Sequence, residues 1–128
     1  MGKRLKKIEL EDIFANILIA RNISFKRQHR ITTNRRWRCD FFLDKLNTIV
    51  EIEGGQFIKG GHNSISGLLS DIEKYNVISM FGFKLIRFTT IHFEKRGYEY
   101  MQGVLDNLQG LPVDITELKT EIKRLTKK

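Results

Sequence analysis

Residues 36–53, RWRCDFFLDKLNTIVEIE, set two short runs of β-branched and aromatic residues on either side of Asp44-Lys45-Leu46-Asn47. This pattern predicts two strands joined by a tight connection. In the first run Trp37, Cys39, Phe41 and Leu43 alternate with Arg36, Arg38, Asp40 and Phe42. One face therefore reads as wholly apolar, with Asp40 on the other. In the second run Glu51 and Glu53 share a face, and Val50 and Ile52 pack on the opposite one. A hairpin about Asp44–Asn47 brings Asp40 toward the two glutamates, so three carboxylates converge on one spot of a sheet.

The rest of the chain supplies elements on both sides of this pair. Residues 8–21 read as a helix, with Leu10, Ile13, Phe14 and Ile17 at helical spacing. Residues 23–31 read as a strand that forms a hairpin with 36–43 through Thr32-Thr33-Asn34. Gly54-Gly55 ends the strand 48–53, and 54–65, with four glycines, reads as a mobile loop. Residues 66–81 read as a helix with Leu68, Leu69, Ile72, Tyr75 and Ile78 inward. Residues 83–88 read as a strand after Gly82, and 97–109 as a helix, with His92 at a helix start. Residues 114–127 follow Pro112 and read as an amphipathic helix capped by Asp114. The order α-β-β-β-α-β-α-α predicts a three-layer α/β/α plan around a central mixed sheet.

At 128 residues the chain is one domain, 1–128, with a core over about 8–110 and the helix 114–127 appended. No apolar run approaches ~18–20 residues, so no membrane partner is expected. The start, MGKRLKKIELEDIF, lacks an apolar signal core. The single cysteine, Cys39, excludes a disulfide framework and a multi-cysteine zinc site, and points to a reducing, cytoplasmic setting. It reads as an inert core thiol on the Trp37 face.

The net charge of +8 is not spread evenly. Residues 1–39 carry eleven Lys/Arg against three Asp/Glu, whereas 40–128 carry twelve of each. The whole excess therefore sits in the first third, an electrostatic footprint for a polyanion such as nucleic acid. The alternative is a solvated basic surface.

Three like charges at close range are costly unless something positive joins them. A hard divalent cation is one partner, and Mg²⁺ takes carboxylate oxygen and water. The alternative keeps Glu51 and Glu53 on a solvated face, paired with Arg36 or Arg38.

The sequence D-(x)10-E-x-E after a leading helix resembles the PD-(D/E)XK nuclease superfamily. The stretch VEIEGGQF…GGHNSISGLLSDIEKYNVISMFGFKLIRFT resembles a small phage and bacterial group within it, akin to the very-short-patch-repair endonucleases. The resemblance runs from Ile8 to Thr90. It implies a restriction-endonuclease-like fold and metal-dependent cleavage of DNA in a bacterial or phage-infected cell. By this resemblance Asp40 matches the metal-binding aspartate, and Glu51 the first acid of E-x-K. Glu53 stands where the family has lysine, and becomes a further ligand for Mg²⁺ or Mn²⁺. Glu11 fits a glutamate on the family's N-terminal helix; as a plain first-turn acid it is favoured by the helix dipole. Lys74 is the candidate replacement for the missing lysine, or else an exposed partner of Asp71.

Gln28 and Gln56 resemble polar positions flanking such a site. Arg27, Arg30, Arg35, Arg36 and Lys59 are candidates for neutralising flanking phosphates. His62 in the glycine-rich loop either contacts phosphate or has no role. Arg87 either anchors a phosphate or pairs with an acid such as Glu73 or Asp71. A non-catalytic nucleic-acid-binding protein on a nuclease-like fold is the rival reading. Ile115, Leu118, Ile122 and Leu125 form a short coiled-coil-like stripe, which either packs on its own domain or makes a homodimer.

Overall fold

The computed structural model describes residues 4–33, 35–54 and 64–112. The turn residue Asn34, the loop 55–63 and the helix expected over 114–127 lie outside the described residues, as do Gln56, Lys59, His62 and the C-terminal stripe.

The element order is α1 (Lys7–Ala20), β1 (Lys26–Arg30), β2 (Arg38–Leu43), β3 (Thr48–Glu53), α2 (Ile65–Met80), β4 (Lys84–Thr89), α3 (Thr90–Arg96) and α4 (Tyr98–Leu108). The strands form one mixed sheet in the order β1-β2-β3-β4. β1, β2 and β3 run antiparallel in sequence, and β4 lies parallel to β3. A parallel neighbour requires a crossover, and α2 supplies it. The chain is thus α/β with a mixed sheet, as its sequence pattern leads one to expect.

Apolar side chains pack on both faces of that sheet. On one face Leu10, Phe14, Ala15 and Leu18 of α1 meet Phe41, Leu43, Val50, Ile52 and Phe88, with Met101 and Leu105 of α4. Phe14 sits at the centre, edge-on to Phe41 at 4.9 Å between ring centroids and 5.6 Å from Phe88. The opposite face carries a smaller cluster of Cys39, Ile49 and Ile78, flanked by Phe42, Tyr75, Phe83 and Leu85. Among the described residues no helix is long and apolar enough to cross a membrane.

Four expectations need correction. The strict alternation read over 37–43 fails at Asp40. Phe41 and Leu43 point into the α1 cluster, whereas Cys39 and Phe42 face α2. Pairing between β1 and β2 skips the Gln28/Asp40 position, and Gln28 adopts a left-handed backbone, φ 50°. The register is the same on both sides of this unpaired position, so the side-chain reversal occurs without an inserted residue.

The buried face of α1 is Leu10, Glu11, Phe14, Ala15 and Leu18, with Ile13 and Ile17 only half-buried. α2 is likewise turned from its expected face: Leu68, Leu69 and Ile72 are about half exposed, at 51%, 52% and 47%. Finally, the segment after β4 holds a separate short helix, α3, capped by Thr89 and divided from α4 by Gly97 at φ 60°. Seven residues are too few to show a helical period, but glycine's freedom at positive φ makes the break cheap.

Asp44–Leu46 forms a single 3-10 turn, and Asn47 at φ 52° closes it. Its Nδ2 donates to the Gly82 carbonyl at 3.0 Å, and its carbonyl accepts from the Lys84 N–H at 3.0 Å, so the β2–β3 turn also fixes the start of β4. Asn is among the few non-glycine residues that adopt this backbone readily.

Two expected outcomes test the packing. Phe14→Ala removes the ring shared by α1, β2 and β4 and costs about 3–5 kcal/mol in urea unfolding. Cys39 is buried, and burial pushes its thiol up to about 11. A thiol reagent at neutral pH therefore modifies it at least about a hundredfold more slowly in the folded chain than in denaturant.

Candidate active site

β2 and β3 are paired through Phe41–Val50, Phe42–Ile49 and Leu43–Thr48, and the ladder stops there. The next backbone groups are satisfied by side chains. The Ile52 N–H donates to Asp40 Oδ2 at 2.7 Å, and the Asp40 N–H donates to Glu51 Oε2 at 3.3 Å. Each acid thus completes the hydrogen bonding of the other's strand. Buried backbone N–H groups need such partners, so both carboxylates are held where the strands part.

The remaining carboxylate oxygens face cations. Asp40 Oδ1 accepts from Lys7 Nζ at 3.1 Å and from Gln28 Nε2 at 3.3 Å. Lys7 also bonds Glu11 Oε2 at 2.7 Å, and Arg27 reaches Glu11 Oε1 at 3.4 Å. Glu51 Oε1 is bonded by Lys74 Nζ, which also donates to the Arg38 carbonyl at 2.7 Å. Glu11, Asp40 and Glu51 are only 4%, 9% and 6% exposed, so these charges sit largely out of water.

Burial shapes the protonation of Glu51 and Lys7. Burial lifts the Glu51 carboxyl above its ordinary range, and Lys74 pulls the other way. Burial also works against the Lys7 ammonium, but its bonds to Glu11 and Asp40 outweigh that and leave it above its usual value. The two acids therefore hold the Lys7 ammonium charged.

The sequence-derived residues divide into those brought together and those kept apart. Glu11, Asp40, Glu51, Lys74 and Gln28 meet at one end of the β2–β3 pair, with Arg27 alongside. Lys74 is delivered to Glu51 by α2, and this accounts for that helix's rotation. Its half-buried, sheet-facing positions are Ser70, Asp71, Lys74 and Tyr75, leading to buried Ile78. Leaving Glu51 buried without a counter-charge costs more than leaving three aliphatic side chains half in water.

Glu53 is turned to Arg87, with Oε1 3.0 Å from the guanidinium, and Arg87 lies 5.1 Å from the Tyr75 ring centroid. Arg87 thus has an acid partner as expected, but in Glu53 rather than Glu73. Among the described residues no group of three His, Cys, Asp or Glu side chains is placed to hold a metal ion. Arg30 bonds the Arg35 carbonyl, Arg35 pairs with Glu73, and Arg36 is exposed, all on the hairpin beyond the acids.

Lys7 was not evident as a site residue from sequence. The available signal is its spacing, one helical turn before Glu11. Comparison with protein-family models, with curated proteins and with solved structures finds no match for the chain.

The Glu51–Lys74 pair has a measurable signature. Lys74→Met leaves a buried carboxylate unpartnered and costs about 3–5 kcal/mol. It also raises the Glu51 pKa further above its unfolded value near 4.5. A carboxyl with a raised folded pKa binds its proton more tightly when folded, so stability falls as pH rises from about 4.5 through the folded value. Urea midpoints from about pH 4 to 8 should therefore decline more steeply in Lys74→Met than in the parent chain.

Proposed function

We propose that the chain is a metal-dependent DNA endonuclease with a three-layer, restriction-endonuclease-like α/β/α fold, acting in the cytoplasm of a bacterium or phage-infected cell. The observation that carries this reading is the meeting of Asp40 and Glu51 at the parting of two strands, with Lys74 brought to Glu51 from the crossover helix. Each acid gives one oxygen to a backbone N–H and keeps one, Asp40 Oδ1 and Glu51 Oε1, for a cation. Mg²⁺ binds through one or two carboxylates together with substrate phosphate and water, and this donor set fits it. Mn²⁺ suits the same hard oxygen donors. A bound ion supplies charge stabilisation to the phosphate and lowers the pKa of a water.

The protein groups have definite parts in this reading. Asp40 and Glu51 hold the ion. Their bonds to Ile52 N–H and Asp40 N–H fix the carboxylates before substrate arrives. Lys74 and Lys7, released from the acids, sit where charge develops on a phosphate and stabilise it. Gln28 orients Asp40, and Glu11 holds Lys7. Glu53 joins as a further ligand once Arg87 lets it go. Arg27, Arg30, Arg35 and Arg36 neutralise flanking phosphates of the DNA.

A non-catalytic nucleic-acid-binding protein is the second reading. One observation favours it: both acids already have ammonium partners.

Cleavage assays separate the two. With Mg²⁺ or Mn²⁺ the chain should nick or cut plasmid or branched DNA. Asp40→Asn keeps an acceptor for the Ile52 N–H but loses the charge, so it should fold, bind DNA with the parent's salt dependence, and cut at least about a hundredfold more slowly. A panel of duplex, mismatched, single-stranded and four-way DNA that stays intact with both metals removes the nuclease reading.

A further inference from the structure

We infer that the cleft between the tip of the β1–β2 hairpin and the C-terminal half of α2 is a binding site for an unpaired nucleobase of a DNA strand. The cleft has a volume of about 460 Å³ and is lined by Ile31, Thr32, Arg35, Trp37, Val77 and Phe81 among others. Its size falls within the ~300–1,000 Å³ of small-ligand pockets. It shares no lining residue with the carboxylate site.

The lining has the chemistry of a stacking platform. Trp37 is held by an Nε1–H bond to Ser70 Oγ at 3.0 Å, which fixes the indole against α2. The Arg35 guanidinium lies over that indole, 4.1 Å from the ring centroid. Aromatic rings and guanidinium planes are the two side-chain surfaces on which unpaired bases stack. Phe81, 71% exposed, adds a second aromatic ring at the rim. Ile31 and Val77 add apolar lining, with Thr32 and Thr33 beside them.

Charge decides the occupant. The hairpin that forms one wall carries Arg30, Arg35, Arg36 and Arg38, all exposed, inside the third of the chain that holds the whole excess of +8. A flat heteroaromatic ring attached to an anionic backbone satisfies both the apolar cleft and its cationic rim. A base within duplex DNA has no free face to offer, so the cleft selects an unpaired one.

The placement also suits the site already described. Trp37 and Asp40 lie on the same chain segment, about 10 Å apart at the rise of a strand. Ser70 and Lys74, one turn apart on α2, hold Trp37 and Glu51 respectively. A strand with its unpaired base in the cleft therefore passes its neighbouring phosphates along the arginines toward Asp40 and Glu51. The inference rests on the proposed reading that the substrate is DNA, and adds that this DNA contains an unpaired nucleotide next to the scissile bond.

Trp37 is the only tryptophan and reports directly on the cleft. The full chain is titrated in EDTA with a short single-stranded oligonucleotide and with a relaxed, covalently closed circular duplex, which has no unpaired base. The single strand should quench Trp37 emission, and the closed duplex should bind without quenching. Phe81→Ala, at an exposed position, should weaken single-strand binding about fivefold or more and leave closed-duplex binding unchanged. Equal quenching by both DNAs, or full single-strand affinity in Phe81→Ala, overturns the inference. Quenching by the single strand without metal-dependent cleavage of any DNA keeps the cleft and removes the nuclease reading. Metal-dependent cleavage without quenching by the single strand does the reverse.

Discussion

The structure turns on the place where β2 and β3 stop pairing. Beyond Phe41 and Val50 the backbone ladder ends, and Asp40 and Glu51 take over as acceptors for the N–H groups left behind. Two backbone donors are satisfied, and two carboxylates are fixed as a consequence. Buried carboxylates then demand positive charge. Lys7 comes from α1 on one face of the sheet and Lys74 from α2 on the other. The polar network thus ties α1 and α2 to the central strand pair of the sheet.

That demand explains the features that run against simple patterning. Gln28 accepts a left-handed backbone and places its amide against Asp40. The strand reverses its side chains at Asp40, so Cys39 and Phe41 serve different cores. α2 presents Ser70, Lys74 and Tyr75 to the sheet and leaves Leu68, Leu69 and Ile72 half in water. Each departure has a cost in strain or exposed apolar surface, and each serves to keep a buried charge paired or a buried backbone group bonded.

Much of the architecture was legible in the chain. The strand 48–53 falls at its expected bounds, the helices over Lys7–Ala20 and Ile65–Met80 are displaced by one residue, and the mixed sheet follows from the order of elements. Of the site, Asp40, Glu51 and Lys74 were identifiable, and so was Glu11. Lys7 was not, because a lysine beside a glutamate on a helix is usually a surface pair. Glu53 was grouped with the other acids because it shares a face with Glu51, but Arg87 on the neighbouring strand claims it.

Sequence alone determined the periods: which residues alternate, which recur every turn, and where the excess positive charge is concentrated. These follow from local geometry, in which a strand repeats every two residues and a helix every 3.6. The phase of each element relative to its neighbours belonged to the tertiary structure. Phase is set by which buried groups must find partners across the sheet, and the cost of an unpaired charge exceeds that of a displaced methyl group. The chain specified that Asp40 and Glu51 would stand near each other; only the fold decided that each would hold the other's strand and carry its own lysine.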